Sequence, residues 1–193
     1  MFLKRLLVCI LVTVCFSEDH FDEWVNTYLA QSDSGGLEIE LSHWFITPID
    51  TSEAHGRLIV SQDKKFRFEM GYKTIVSDGV VWKTYDERSN RLITQFPDTT
   101  FENTILVWFD KEKLLGVKRE NINSKWDFRL SFSNKIPDAE IHFSPKDGSL
   151  IWIDVLDKEY IQRLYDITIK QYSGDIEVFQ LEIPGAFEID LRE

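Results

Sequence analysis

Alternating apolar and polar residues run through most of this sequence and predict a chain built mainly from β-strands. Phe66, Phe68 and Met70, for example, share one face of a strand, because successive side chains of a strand point to opposite sides. On the spacing of an all-β sheet or barrel we expect roughly ten or eleven strands. The expected strands cover residues 37–41, 56–61, 66–70, 73–77, 80–86, 91–95, 126–132, 139–143, 150–156, 165–170 and 177–183.

The dipeptide Asp78-Gly79 lies between two of these strands and predicts a β-hairpin. Glycine adopts the positive φ angle that a tight hairpin turn requires. This turn also explains Asp78, the most conspicuous acidic residue of the segment, and favours a structural role for it over a catalytic one. Another polar turn follows Asp86. Residues 66–95 are therefore the predicted centre of the fold, a meander of antiparallel strands.

Residues 18–34 carry a helical pattern instead of a strand pattern. Large apolar side chains recur there at positions i, i+3, i+4, i+7 and i+8, and acidic residues occupy the first turn. Gly35-Gly36 ends this predicted helix. The apolar side chains are Phe21, Trp24, Val25, Tyr28 and Leu29.

A second helix is predicted to begin near Thr99, which forms a capping-box pair with Glu102. Residues 105–109 are apolar on almost every side, which is more than one core-facing stripe requires. The end of this helix is expected near Gly116. Its large side chains at helical intervals are Phe101, Ile105, Trp108 and Phe109.

Residues 1–17 have the features of a cleaved export signal. Lys4-Arg5 precedes an apolar run over 6–16 that is too short for a permanent membrane span, and small residues stand at a cleavage site before Glu18. An alternative is that Cys15 is lipidated, because residues 12–15 faintly resemble a bacterial lipobox. With cleavage, residues 18–193 form a single domain without cysteine.

The charge of the chain excludes one class of partner. Removing Lys4 and Arg5 from the 22 basic residues leaves 20 against 33 acidic residues, a net charge of −13 for the exported protein. Such a surface is repelled by nucleic acid phosphates and by anionic lipid headgroups. We therefore expect no nucleic acid binding.

No recognisable catalytic or metal-binding motif stands in the sequence, so we expect neither an enzyme nor a cofactor or metal ion. The four histidines are not paired at metal-ligand spacing. Nucleophile-elbow, phosphate-binding and EF-hand patterns are absent. Carboxylate pairs for glycoside hydrolysis stay possible, because they require no sequence motif.

Several segments resemble the LolA family of periplasmic lipoprotein carriers. The order of elements is similar, with an N-terminal helix, the meander, a mid-chain helix and further strands. The segments are Phe66-Arg67-Phe68, Ile75-Val76-Ser77-Asp78-Gly79, Trp82 and Tyr85-Asp86 in the centre, with Phe179 and residues 184–189 near the end. The chain departs from the family at Gln62-Asp63, where the family often has Arg-Pro, and in the closer spacing of Trp82 to the Asp-Gly turn.

The resemblance implies a mainly β fold with helices (α+β). The expected architecture is an unclosed antiparallel β-barrel, or strongly curved sheet, with two or three helices as a lid over a hydrophobic cavity. It further implies a monomeric periplasmic chaperone that carries acylated lipoproteins from the inner to the outer membrane. Its partners would be an inner-membrane lipoprotein-releasing ABC transporter and an outer-membrane acceptor.

Aromatic residues make up 13% of the chain and supply candidates for the cavity wall and its lid. Each of these candidates is about equally well explained as ordinary core. The candidate lining residues are Phe66, Phe68, Met70, Trp82, Phe128 and Leu130. The candidate lid residues are Trp24, Tyr28, Ile105, Trp108 and Phe109.

Two other classes of function stay open at this point. One is an outer-membrane-anchored lipoprotein receptor or envelope-stress sensor on the same fold. The other is a secreted β-sandwich carbohydrate-binding module or glycosidase, which requires an open aromatic cleft with convergent carboxylates.

Overall fold

One twelve-stranded sheet forms the frame of the part of the chain that the structure describes. The structure is a computed structural model that describes residues 20–27, 35–63, 65–97, 105–132 and 136–192. The strands are β1 (Gly36–Ile46), β2 (Thr51–Ser61), β3 (Phe66–Met70), β4 (Lys73–Ser77), β5 (Trp82–Asp86), β6 (Arg91–Gln95), β7 (Lys118–Asn121), β8 (Asp127–Ser131), β9 (Ala139–Phe143), β10 (Leu150–Leu156), β11 (Ile161–Gln171) and β12 (Phe187–Asp190). The helices are α1 (His20–Thr27), α2 (Lys111–Leu115) and two 3₁₀ helices, Leu106–Phe109 and Ile176–Phe179.

The strand order is β12-β6-β5-β4-β3-β2-β1-β11-β10-β9-β8-β7. Neighbouring strands are antiparallel except for β12, which runs parallel to β6. The end strands, β12 and β7, each pair on one side, so the sheet stays open. The prediction of a large unclosed antiparallel sheet is therefore confirmed.

The central meander forms where the sequence predicts it. Gly71, with φ +57°, makes the tight connection between β3 and β4. Gly79, with φ +95°, lies in the four-residue loop 78–81 between the paired ends of β4 and β5. Asp78 Oδ1 accepts the backbone N–H groups of Val80 and Val81 at 2.9 and 3.0 Å. The hairpin prediction is confirmed, and the aspartate stabilises a longer loop than the minimal turn.

The sheet has two differently covered faces. On the inner face, Leu37, Ile39, Phe66 and Ile141 belong to the main hydrophobic core, which the helical segments 20–27 and 106–115 complete. Because paired residues of adjacent strands share a face, this core extends over most of the sheet width. The inner face therefore positions both helical segments.

The outer face is partly covered by residues 176–183. A second buried cluster joins Ile59, Val76 and Leu92 of the sheet to Phe179 and Leu181. The strand predicted over 177–183 is wrong, because this segment forms a 3₁₀ helix, Ile176–Phe179, followed by chain outside the sheet. Its alternating apolar residues are buried against the sheet by their side chains instead of by strand pairing.

The mid-chain helix is also shorter and more broken than predicted. A 3₁₀ helix, Leu106–Phe109, ends at Asp110, whose extended backbone starts α2 and whose Oδ1 accepts the N–H of Lys113 at 3.2 Å. Aspartate is favoured at the N-cap of a helix and disfavoured in a helix interior, so a new helix starts at Asp110 instead of one continuous helix passing through it. Residues 99–104 of the predicted helix lie outside the described residues.

Candidate ligand-binding cavity

A cavity of about 630 Å³ lies between one end of the meander and the segment 106–115. The connection between β2 and β3 and the loop 78–81 both lie at this end of the sheet, because β2 and β4 end there and β3 and β5 begin there. The described residues that line the cavity are Val60, Ser61, Gln62, Phe66, Ser77, Gly79, Trp82, Pro97, Leu106, Phe109, Asp110, Lys111, Glu112 and Lys113.

The inner wall of the cavity is aromatic and aliphatic. Phe66 and Trp82 lie on one face of the sheet through Ser77, which pairs with both, and their rings meet edge to face at 5.1 Å. From the opposite side come Leu106 and Phe109. Residues i and i+3 of a 3₁₀ helix are aligned, so one turn presents both side chains to the cavity. This wall suits a hydrocarbon ligand.

One side of the cavity is polar. Asp110, Lys111, Glu112 and Lys113 line it from α2, and Lys113 Nζ lies 3.7 Å from a carboxylate oxygen of Asp110. Ser77 Oγ accepts the Gly79 N–H at 3.1 Å and fixes the loop at the rim. Half of the lining residues are polar or charged, so the cavity joins an apolar wall to a polar side, a combination that small-ligand sites also show.

Three of the predicted site residues line this cavity: Phe66 and Trp82 as wall residues, and Phe109 from the predicted lid. Ile105 and Trp108 are buried in the core beside it, and the Trp108 ring packs edge to face on Phe132 at 5.4 Å. The participation of these residues in binding stays a prediction.

The other candidate wall residues occupy different places. Phe128 and Leu130 are buried in the core of the β8–β9 half, with Phe128 6.2 Å from Phe21 of α1 and 6.0 Å from Phe143. Phe68 is buried in the same core as Phe66. The strand alternation identified the inner face correctly, but α1 covers part of that face directly, so the residues beneath it have the environment of ordinary core.

Helix α1 is fixed to the edge of the sheet by an ion pair that the sequence did not reveal. Arg119 of β7 donates from both terminal nitrogens to the two carboxylate oxygens of Asp22, each at 2.6 Å. The Arg119 guanidinium also lies 5.1 Å from the centre of the Phe21 ring. Trp24, a predicted lid residue, is buried against Phe143. Tyr28, the other lid candidate of this helix, lies outside the described residues.

A second cavity, of about 540 Å³, is polar and lies over β1, β2 and β3. Met70 lines this cavity instead of the apolar one, together with Ser42 and His55, whose side chains are hydrogen-bonded at 2.8 Å. Two of its carboxylates are in ion pairs, Glu69 with Arg67 and Glu40 with Lys170. A third carboxylate, that of Asp166, also lines this cavity.

Within the described ranges, no three His, Cys, Asp or Glu side chains lie close enough together to hold a metal ion. The same residues contain no helix with the length and hydrophobicity needed to cross a membrane.

No protein-family model and no curated protein matches the sequence. Among solved structures, the chain is similar to an uncharacterized conserved protein from Thermus thermophilus, with a TM-score of 0.53 and 10% identity over 87% of this chain and 98% of that one. This similarity shows that the two chains share a fold.

Two further solved structures match at lower TM-scores. A LolA superfamily protein from Nitrosomonas europaea has a TM-score of 0.46 and 8% identity, over 79% of this chain and 96% of that one. A chain of the MucA/MucB complex of Pseudomonas aeruginosa has a TM-score of 0.35 and 10% identity, over 84% of this chain and 61% of that one. The open sheet with helical segments on its inner face is the architecture that the sequence resemblance implied.

Proposed function

We propose that this protein is a periplasmic chaperone that binds the acyl chains of lipoproteins and carries them between the inner and outer membranes. In this proposal the protein binds its ligand without catalysis. The observation that carries it is the cavity between the meander and the segment 106–115, whose wall is formed by Phe66, Trp82, Leu106 and Phe109. The membrane partners would be a lipoprotein-releasing transporter and an outer-membrane acceptor.

The volume of the cavity sets how much hydrocarbon it can hold. A methylene group occupies about the volume of one water molecule in the liquid, roughly 30 Å³. A cavity of about 630 Å³ therefore accommodates one acyl chain of about sixteen carbons and is too small for two.

The free energy of transferring an acyl chain from water explains why such a carrier is needed. Transfer of a methylene group from water to an apolar site is worth about 0.8 kcal/mol, so one sixteen-carbon chain gains on the order of 13 kcal/mol. An acylated protein cannot cross an aqueous compartment against that cost without a binding site. The empty cavity has its own apolar wall to cover, and contacts among Phe66, Trp82 and the segment 106–115 compete with the ligand and lower its net affinity.

Leu106 offers the sharpest test, because it is half-buried and lines the cavity without belonging to the fully buried core. The variant Leu106→Glu places a carboxylate on the hydrocarbon wall, and we expect it to weaken binding of a dansyl-labelled undecanoic acid at least tenfold. The matched control is Leu115→Glu, on the neighbouring helix α2, where the leucine is 53% exposed and does not line the cavity. Binding is measured by fluorescence titration, and folding by thermal unfolding.

The cargo itself is identified by mass spectrometry of lipids and lipoproteins that co-purify with the protein from a periplasmic extract. We expect acylated lipoproteins with the wild type and with Leu115→Glu, and a depleted yield with Leu106→Glu. Equal affinity of both variants for the fatty acid probe, with unchanged melting temperatures, would show that this cavity is not the acyl-binding site.

A further inference from the structure

The apolar inner face does not stop at the cavity but continues across the last two strands of the sheet. Thr84 pairs with Ile93, and Ile93 pairs with Ile189 of β12. Paired residues share a face, and Thr84 is two residues from Trp82 on the same strand, so both isoleucines lie on the face that carries Trp82.

Two more apolar residues extend this face along β12. Phe187 and Leu191 stand two residues before and after Ile189, and alternation places both on its side of the strand. The backbone N–H of Leu191 donates to the Thr94 carbonyl at 2.8 Å, so the pairing with β6 continues to that residue. We name the surface formed by Ile93, Phe187, Ile189 and Leu191 the β6–β12 wing.

The wing is apolar and accessible, unlike the core residues of the inner face. Phe187 is 65% exposed and Leu191 57% exposed, and Ile93 and Ile189 are half-buried. None of the four belongs to either buried hydrophobic cluster. Glu188 and Asp190 point to the opposite face, so β12 presents no carboxylate on this side. A contiguous apolar surface of this kind marks a binding site more often than isolated exposed residues do.

We propose that the β6–β12 wing binds the additional acyl chains of a multi-acylated ligand, while the cavity holds one chain. This inference rests on the proposed function, and it names the ligand class as an amphiphile with two or three acyl chains. Two observations carry it: the cavity of about 630 Å³ has room for one sixteen-carbon chain, and the wing continues the same sheet face beyond Trp82. Arg91 and Asp86 pair on the same face at the end nearest Phe187, so chains that leave the cavity cross Leu191, Ile189 and Ile93 before they meet charge.

The test uses two probes on the full exported chain. One is the single-chain dansyl-labelled fatty acid, and the other is a fluorescently labelled cysteine peptide that carries three palmitoyl chains. The variant Ile189→Glu puts a charge on the wing, and Leu191→Glu provides a second variant at a more exposed position outside β12. The matched control is Ile161→Glu, which replaces an isoleucine that is 36% exposed at the start of β11, on the far side of the sheet.

We expect both wing variants to bind the fatty acid as the wild type does and the triacylated peptide at least about tenfold more weakly, since covering one isoleucine side chain is worth that factor. The control should bind both probes normally. Unchanged affinity of both wing variants for the triacylated peptide would overturn the wing and leave the cavity proposal standing. Equal losses for the two probes would also overturn it, because the wing would then not act separately. If the wild type binds neither probe, the proposed function fails and the wing fails with it.

Discussion

The ion pair between Asp22 and Arg119 should hold helix α1 on the edge of the sheet. Strand β7 pairs on one side only, with β8, so it gains little support from the sheet itself. Both side chains are less exposed than an ordinary surface pair, with 28% of Asp22 and 30% of Arg119 accessible. Two parallel hydrogen bonds of 2.6 Å make this pair stronger than the usual surface salt bridge.

The variant Asp22→Asn keeps the size of the side chain and removes its charge and one strong acceptor. Hydrogen bonds to charged groups contribute about 1.5–3 kcal/mol, so we expect the free energy of unfolding to fall by about 2 kcal/mol. For a urea slope of about 2 kcal/mol per molar, the unfolding midpoint then moves by roughly 1 M. The control is Glu23→Gln on the next residue, where the acid is 65% exposed and a loss within about 0.5 kcal/mol is expected.

A double-mutant cycle with Arg119→Gln separates the pair from the effect of either residue alone. Unfolding is followed in urea by tryptophan fluorescence, since Trp24 lies on the helix concerned. We expect a coupling free energy of about 1–2 kcal/mol between the two sites. A coupling near zero, or a loss from Asp22→Asn no larger than that of Glu23→Gln, would refute the assignment of this pair as the anchor of α1.

Three further predictions address the core, a turn and the pH dependence of stability. Phe128→Ala should cost about 3–5 kcal/mol in urea unfolding and leave the fatty acid affinity unchanged, because Phe128 is core and not cavity wall; a tenfold weaker affinity at unchanged stability would contradict this. Gly79→Ala should lower the free energy of unfolding by about 1–2 kcal/mol, because φ is positive at this residue. The control Gly116→Ala, at φ −90°, should be neutral or stabilising. Equal effects of the two variants in thermal melts would contradict the turn argument. Burial lowers the pKa of His43. As pH falls from about 7, the unfolded chain therefore takes up a proton before the folded chain does, and stability should decrease towards acid. We expect His43→Gln to reduce that decrease in urea titrations at pH 7 and 5.5, and an identical slope would exclude His43 as its source.

The sequence predicts the sheet well wherever one face of a strand is buried. Phe66-Arg67-Phe68 and Phe128-Arg129-Leu130 alternate because one side is core, and both are strands of the structure. The pattern misses strand β7, since Lys118-Arg119-Glu120-Asn121 contains no apolar residue. An edge strand with charged side chains is well protected against pairing with other chains, but for the same reason it has no hydrophobic pattern to read.

The cavity is harder to predict than the sheet, because alternation identifies a face and not what covers it. Phe66 and Phe128 have the same pattern and nearly the same burial, yet one lines the cavity and the other lies under α1. Contacts that hold α1 in place, such as that of Asp22 with Arg119, join residues 97 apart in sequence. No local pattern records a contact of that range, so only the folded structure separates wall from core.

The way in which the helical segments are fixed bears on how a large ligand could be held. The segment 106–115 is fixed by Trp108 and Leu114, both fully buried, and α1 by its ion pair and Phe21. Displacing either segment would expose large apolar side chains, and a fully exposed leucine or phenylalanine side chain alone costs about 1.5–3 kcal/mol. The wing requires no such displacement, because Phe187 and Leu191 are already exposed. For a ligand with several acyl chains, filling the cavity with one and covering the wing with the others therefore costs less than opening the core.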